Sequence, residues 1–130
     1  MKRNILRRVV VGASALGLSV TGLALAPTAS AAWGDCPSGN VCVWKNTSYY
    51  GLPKKSEGDL SSLYSAGGLS IRNNGVRDPG ADHIWWKATY ASGQTVSGCL
   101  HYPENGSTAG TSIVLNGAVT LNYARWGGEC

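Results

Sequence analysis

Proton transfer, metal binding or covalent chemistry in this chain would have to run mainly through a short set of side chains. These are His83 and His101, four cysteines at 36, 42, 99 and 130, and seven carboxylates at Asp35, Glu57, Asp59, Asp78, Asp82, Glu104 and Glu129. A zinc peptidase would place two histidines around a glutamate as H-E-x-x-H, and a serine hydrolase would carry its nucleophile in G-x-S-x-G. Neither pattern occurs. Glycoside cleavage needs two paired carboxylates, and nothing in the spacing singles out two of the seven. No catalytic residue, metal site or cofactor is therefore expected. Asp78, Asp82 and His83 cluster in a stretch with Pro79 and Gly80, which reads as a solvated loop.

The cysteines carry the strongest signal. Their number is even, and they lack the paired C-x-x-C units of structural zinc sites. Four cysteines allow three pairings. Cys36 and Cys42 flank Pro37-Ser38-Gly39, which can turn the chain, so Cys36–Cys42 and Cys99–Cys130 are expected. Loop-closure entropy assigns these about 2–3 and about 3–4 kcal/mol. Disulfides persist in oxidising compartments, and the N-terminus agrees with that setting. Lys2, Arg3, Arg7 and Arg8 precede an apolar run from Val9 to Ala26, Pro27 ends it, and Ala29-Ser30-Ala31 follows. This is the order of an export signal, with cleavage after the small-x-small triplet. Residues 1–31 are expected as a signal peptide and 32–130 as one secreted, extracellular domain.

Removing that segment also removes the charge. The whole chain has a formal net charge of +4, which those four basic residues account for, leaving seven basic and seven acidic residues after position 31. A neutral domain offers no electrostatic footprint to phosphate backbones or anionic lipid. Nucleic acid and, once the signal is gone, membrane are excluded as expected partners, and the domain is expected to be a monomer.

The elements that must position these residues read as β. Val41–Trp44, His83–Tyr90, Ser112–Leu115 and Val119–Tyr123 are short, rich in β-branched and aromatic residues, and bounded by Gly, Asn, Ser or Pro. Asn74-Gly75 and Asn116-Gly117 mark turns. Leu60–Tyr64 could form one helical turn. A 42-residue internal repeat is visible: Trp44–Gly51 lies over Trp86–Gly93, and Gly68–Gly75 lies over Gly110–Gly117. Two copies of a four-stranded unit predict a two-sheet Greek-key β-sandwich whose halves are related by a pseudo-twofold axis.

Trp44, Tyr49, Gly51 and the later Ser70 resemble the βγ-crystallin Greek-key motif, in which Gly lets a hairpin fold over its sheet and Ser bonds to that hairpin. Trp86, Gly93 and Ser112 stand at the same distances, with Ala91 in place of the second aromatic. The opening Cys36-Pro37-Ser38-Gly39-Asn40-Val41-Cys42-Val43-Trp44 is similar to exported actinobacterial domains of the Streptomyces metalloproteinase inhibitor family. The resemblance spans most of residues 33–130. It implies an all-β, βγ-crystallin-like domain that inhibits a secreted, thermolysin-like protease. It places the reactive bond at Cys99–Leu100, with Leu100 as the apolar residue entering the enzyme's pocket. The archetype's second nearby Cys is replaced here by His101-Tyr102-Pro103-Glu104. Calcium sites of the βγ-crystallin type are not implied, because Ser65–Ser70 and Ser107–Ser112 hold no carboxylate. The alternative reading is a carbohydrate-binding, cell-wall-binding or toxin-like β module without inhibitory activity, with Trp85 pointing outward as a stacking surface.

Overall fold

The structure is a computed structural model that describes residues 35–130. The expected signal peptide and Trp33 lie outside the described residues. Eight strands run in order: β1 Asn40–Trp44, β2 Lys54–Ser56, β3 Leu60–Ser65, β4 Leu69–Asn74, β5 His83–Tyr90, β6 Thr95–Leu100, β7 Ser112–Leu115 and β8 Val119–Gly127. The four runs expected as strands are β1, β5, β7 and β8. Leu60–Tyr64 is not helical; it forms most of β3 and pairs antiparallel with β8, Leu63 opposite Leu121. Its own sequence is nearly neutral between helix and strand, and the waiting edge of β8 decides the matter.

The strands form two antiparallel four-stranded sheets, ordered β2-β1-β4-β7 and β3-β8-β5-β6. Each sheet takes three strands from one half of the domain and its fourth from the other. One apolar core joins Val41, Val43, Leu69, Ile71 and Leu115 of the first sheet to Leu60, Ile84, Trp86, Ala88, Leu100, Val119, Leu121 and Ala124 of the second. The two sheets therefore pack face to face, with burial of apolar area as the main stabilising term. Both disulfides pair as expected, Cys36–Cys42 and Cys99–Cys130.

The 42-residue offset does not carry over into packing. On β1, Val41 and Val43 enter the shared core, while Cys42 and Trp44 point to the other face and form a small cluster with Cys36 and Tyr49. On β5, Trp86 points into the shared core. Matching Trp44 to Trp86 thus pairs an outer-face residue with an inner-face one, because side chains alternate with a period of two and a one-residue slip exchanges the faces. Ser112 departs in the same way. Ser70, on β4, donates its hydroxyl hydrogen to the Asn46 carbonyl at 2.6 Å, whereas Ser112 opens β7 opposite Arg72. Gly93 sits in a tight β5–β6 turn, where the Gly93 N–H meets the Tyr90 carbonyl at 2.9 Å. That turn is too short to fold back over a sheet.

Ser70→Ala should therefore cost roughly 1–2 kcal/mol, since it strands the Asn46 carbonyl in a half-buried setting. Ser112→Ala should change stability by less than about 0.5 kcal/mol. Thermal unfolding of the two variants side by side measures the difference.

Candidate functional site

Two places on this scaffold combine exposure with fixed geometry. The first is the connection between β1 and β2. Asn46 organises it: its Oδ1 accepts from the Ser48 N–H at 3.0 Å and the Tyr50 N–H at 3.2 Å, and its Nδ2 donates to the Tyr50 carbonyl at 2.8 Å. Such side-chain mimicry of backbone turns is what Asn does well. Tyr49 has φ 56° and Gly51 φ 79°, so the chain passes twice through the left-handed region. The strain at Tyr49 is offset by its ring, which packs edge-on against Trp44 at 5.4 Å. Trp44 then donates its indole N–H to the Gly51 carbonyl at 2.8 Å. The hairpin is held from below by Ser70 and Trp44 and from within by Asn46. Tyr50 and Leu52, at its tip, are 79% and 87% exposed. Apolar side chains displayed this fully on a fixed loop have no packing role within the domain.

Cys99 and Leu100 close β6. Cys99 lies opposite Trp85 on β6 and is tied to Cys130. Leu100 is 3% exposed, lies opposite Ile84, and belongs to the shared core. Its carbonyl accepts from Asn73 Nδ2 at 3.0 Å. The reason is periodicity: Ile84, Trp86 and Ala88 face inward on β5, and Leu100 joins their layer from the neighbouring strand. As placed, Leu100 anchors the strand end and is not on display. Trp85 faces outward, as expected, and is 43% exposed. Its ring lies against Gly127, and its N–H is donated to the Gly128 carbonyl at 3.1 Å.

The second place is a set of ionisable groups at one end of the second sheet. Asp82 and His83, read from sequence as part of a solvated loop, are both buried. Asn73 explains how. Its Nδ2 also donates to the Asp82 carbonyl at 2.8 Å, and its Oδ1 accepts from the Gly75 N–H at 2.8 Å, so the segment entering β5 is drawn against the end of β4. Asp82 Oδ1 meets His83 Nδ1 at 2.7 Å, and Oδ2 accepts from the Asp78 N–H at 3.1 Å. Burial alone would raise the Asp82 carboxyl. Hydrogen bonds from His83 and Asp78, with the attraction of His83, outweigh it and hold the group below the usual carboxylate range. His83 Nε2 faces His101 Nδ1 at 2.9 Å, and Glu129 Oε2 lies 3.5 Å from the same nitrogen. An open pocket of about 630 Å³ lies over the group, with Arg77, Tyr102 and Glu104 among its walls.

In the sequence, His101 and Glu129 are titratable residues far along the chain from His83. The signal was in the hairpin. Ile84 pairs with Leu100 across β5 and β6, so the residues just beyond, His83 and His101, are equidistant from the Ala91–Gln94 turn and must meet.

Comparison with known proteins supplies the classification. The profile of peptidase inhibitor family I36 matches residues 29–102, more than half of the 130-residue chain. The chain belongs to peptidase inhibitor family I36. The matched span runs through β6 and ends at Tyr102, so it contains the Tyr50–Leu52 hairpin tip, the Cys99–Leu100 strand end and both histidines. No curated protein and no solved structure matches the chain. Membership of an inhibitor family points to a peptidase as partner and to a role other than catalysis, and with two disulfides it fits an extracellular protein.

Proposed function

We propose that this chain is exported, loses residues 1–31, and inhibits secreted metallopeptidases of the thermolysin-like class by offering them the β1–β2 hairpin. Family membership supports inhibition in general. The observation that supports this mode of contact is the fixed hairpin that displays Tyr50 and Leu52. An inhibitor that docks like a substrate must present an apolar-tipped segment whose shape is set before binding, so that little conformational entropy is lost on association. Gly51-Leu52-Pro53 provides this: a glycine that admits close approach of the enzyme, a leucine suited to an apolar pocket, and a proline that stiffens the chain entering β2. The segment first suggested by resemblance, Cys99–Leu100, would need to leave the core to do the same.

The sheet order supports a βγ-crystallin-like reading of the fold. Exchanging β1, β2, β3 and β4 for β5, β6, β7 and β8 turns one sheet's order into the other's. Two interlocked Greek keys have that symmetry, with the equivalence carried by strands and not by the 42-residue offset.

The test is a titration of the purified protein against thermolysin-like, subtilisin-like and trypsin-like enzymes, with substrate hydrolysis followed directly. Saturable inhibition of the first class alone is expected. Inhibition confined to serine peptidases would overturn the assigned target, and none at all would overturn the inhibitory reading.

A further inference from the structure

The group at the mouth of the 630 Å³ pocket is separate from the hairpin proposed to meet an enzyme, and three of its side chains carry atoms able to ligate a metal. His83 is the fixed element: it is buried, and its Nδ1 is engaged by the Asp82 carboxylate at 2.7 Å. In a neutral ring that contact places the proton on Nδ1 and leaves the Nε2 lone pair facing His101 Nδ1 at the pocket wall. A carboxylate behind one ring nitrogen, orienting the ring and raising the basicity of the other, is the usual outer support of a metal-bound histidine. Asp82 is itself held by the Asp78 N–H and by Asn73, so this support is rigid.

Two further donors converge on His83 Nε2. His101 Nδ1 lies at 2.9 Å and Glu129 Oε2 at 3.5 Å. Two ligands bound tetrahedrally at about 2.0–2.1 Å from one zinc ion sit about 3.3–3.4 Å apart; the two separations from His83 Nε2 bracket that spacing, whereas the donors of His101 and Glu129 stand more than 4.8 Å from each other and must close on the ion. The adjustment falls on the side chains free to make it, because His101 and Glu129 are exposed and Glu129 is 84% so. The Cys99–Cys130 disulfide keeps both nearby: His101 lies two residues after Cys99, and Glu129 immediately precedes Cys130. Cys130 is in the disulfide and cannot serve as a thiolate. Two imidazoles and one carboxylate suit Zn²⁺ and its transition-metal neighbours, whereas Ca²⁺ takes six to eight oxygens.

We propose that His83 Nε2, His101 Nδ1 and Glu129 form a three-ligand Zn²⁺ site, oriented from behind by Asp82, with the open pocket leaving a fourth position for water or a ligand from a partner.

The experiment is calorimetric titration of ZnCl₂ into the purified, disulfide-intact, metal-stripped protein, with CaCl₂ as the comparison. One Zn²⁺ per chain and no Ca²⁺ binding are expected. His101→Ala and Glu129→Ala replace exposed side chains and leave the fold intact. Each should weaken zinc binding by at least about 10–100-fold, the loss typical even of outer-shell partners. Zinc should raise the thermal midpoint of the unaltered protein and fail to do so in His101→Ala. Absence of saturable zinc binding overturns the proposal. So does zinc binding that both variants keep at full strength, since the ion would then sit elsewhere. No peptidase is present in the titration, so its outcome is independent of whether the protein inhibits one.

Discussion

Leu100→Asp should destabilise the folded state severely. The side chain is 3% exposed and packed in the layer formed with Ile84 and Trp86. Removing a buried leucine side chain costs about 2–5 kcal/mol. The replacement adds a carboxylate that finds no solvent there, and it must either take up a proton or pull β6 out of the core. The combined loss should exceed about 4 kcal/mol, against the roughly 5–15 kcal/mol by which ordinary domains are stable. Thermal unfolding should show a midpoint lowered by roughly 20 °C or more, at about 4–8 °C per kcal/mol for a domain of this size. A near-normal midpoint would show that residue 100 faces solvent, and the reactive bond suggested by resemblance would then return to contention.

The same chemical change on the β1–β2 hairpin of the other sheet should have the opposite profile. Leu52 is 87% exposed at the tip of the β1–β2 hairpin, so Leu52→Asp should move the thermal midpoint hardly at all. Its effect belongs to binding. An apolar anchor seated in an enzyme pocket commonly accounts for about 2–4 kcal/mol of an interface. Placing a carboxylate in that pocket should weaken inhibition of a thermolysin-like enzyme by roughly 30- to 1,000-fold, at 1.4 kcal/mol per factor of ten. Steady-state inhibition constants for the unaltered and Leu52→Asp proteins decide the matter. Undiminished inhibition by a well-folded Leu52→Asp protein would remove the hairpin from the interface. Taken together, the two leucines separate what holds the domain from what the domain shows.

The contrast also marks how far the sequence could be read. β1, β5, β7 and β8 are legible because they are runs of β-branched and aromatic residues with turn residues at their ends. β2, with sequence Lys54-Lys55-Ser56, is not, since it is an edge strand that contributes nothing to the core. β3 reads equally well as a helical turn, because only its pairing with β8 distinguishes the two. Disulfide pairing is legible from the short loop between Cys36 and Cys42. Facing is harder. The repeat of Trp44 at Trp86 is real as text, but one residue of slip puts the first under the hairpin and the second in the core. The His83–His101 contact requires knowing that β5 and β6 pair with Ile84 opposite Leu100, a long-range fact that composition does not carry. Leu52, in turn, gives no signal, because a leucine beside Gly and Pro carries no sign of exposure. Exposure becomes visible only once Asn46, Trp44 and Ser70 are seen to hold the loop out from the sheet.

The interior place of β1 in its sheet bears on what a peptidase could do to this chain. Covalent continuity and structural continuity are different things here. β1 lies between β2 and β4, so hydrolysis of the Gly51–Leu52 bond would sever the chain while leaving β1 clasped on both edges. The new amine and carboxylate would stay side by side, with the Gly51 carbonyl still tethered by the Trp44 indole. The N-terminal fragment, which carries β1, could not diffuse away without breaking its pairing with both β2 and β4 and drawing Val41 and Val43 out of the core. A cut at that place therefore releases no product, and the enzyme that made it still holds an intact ligand.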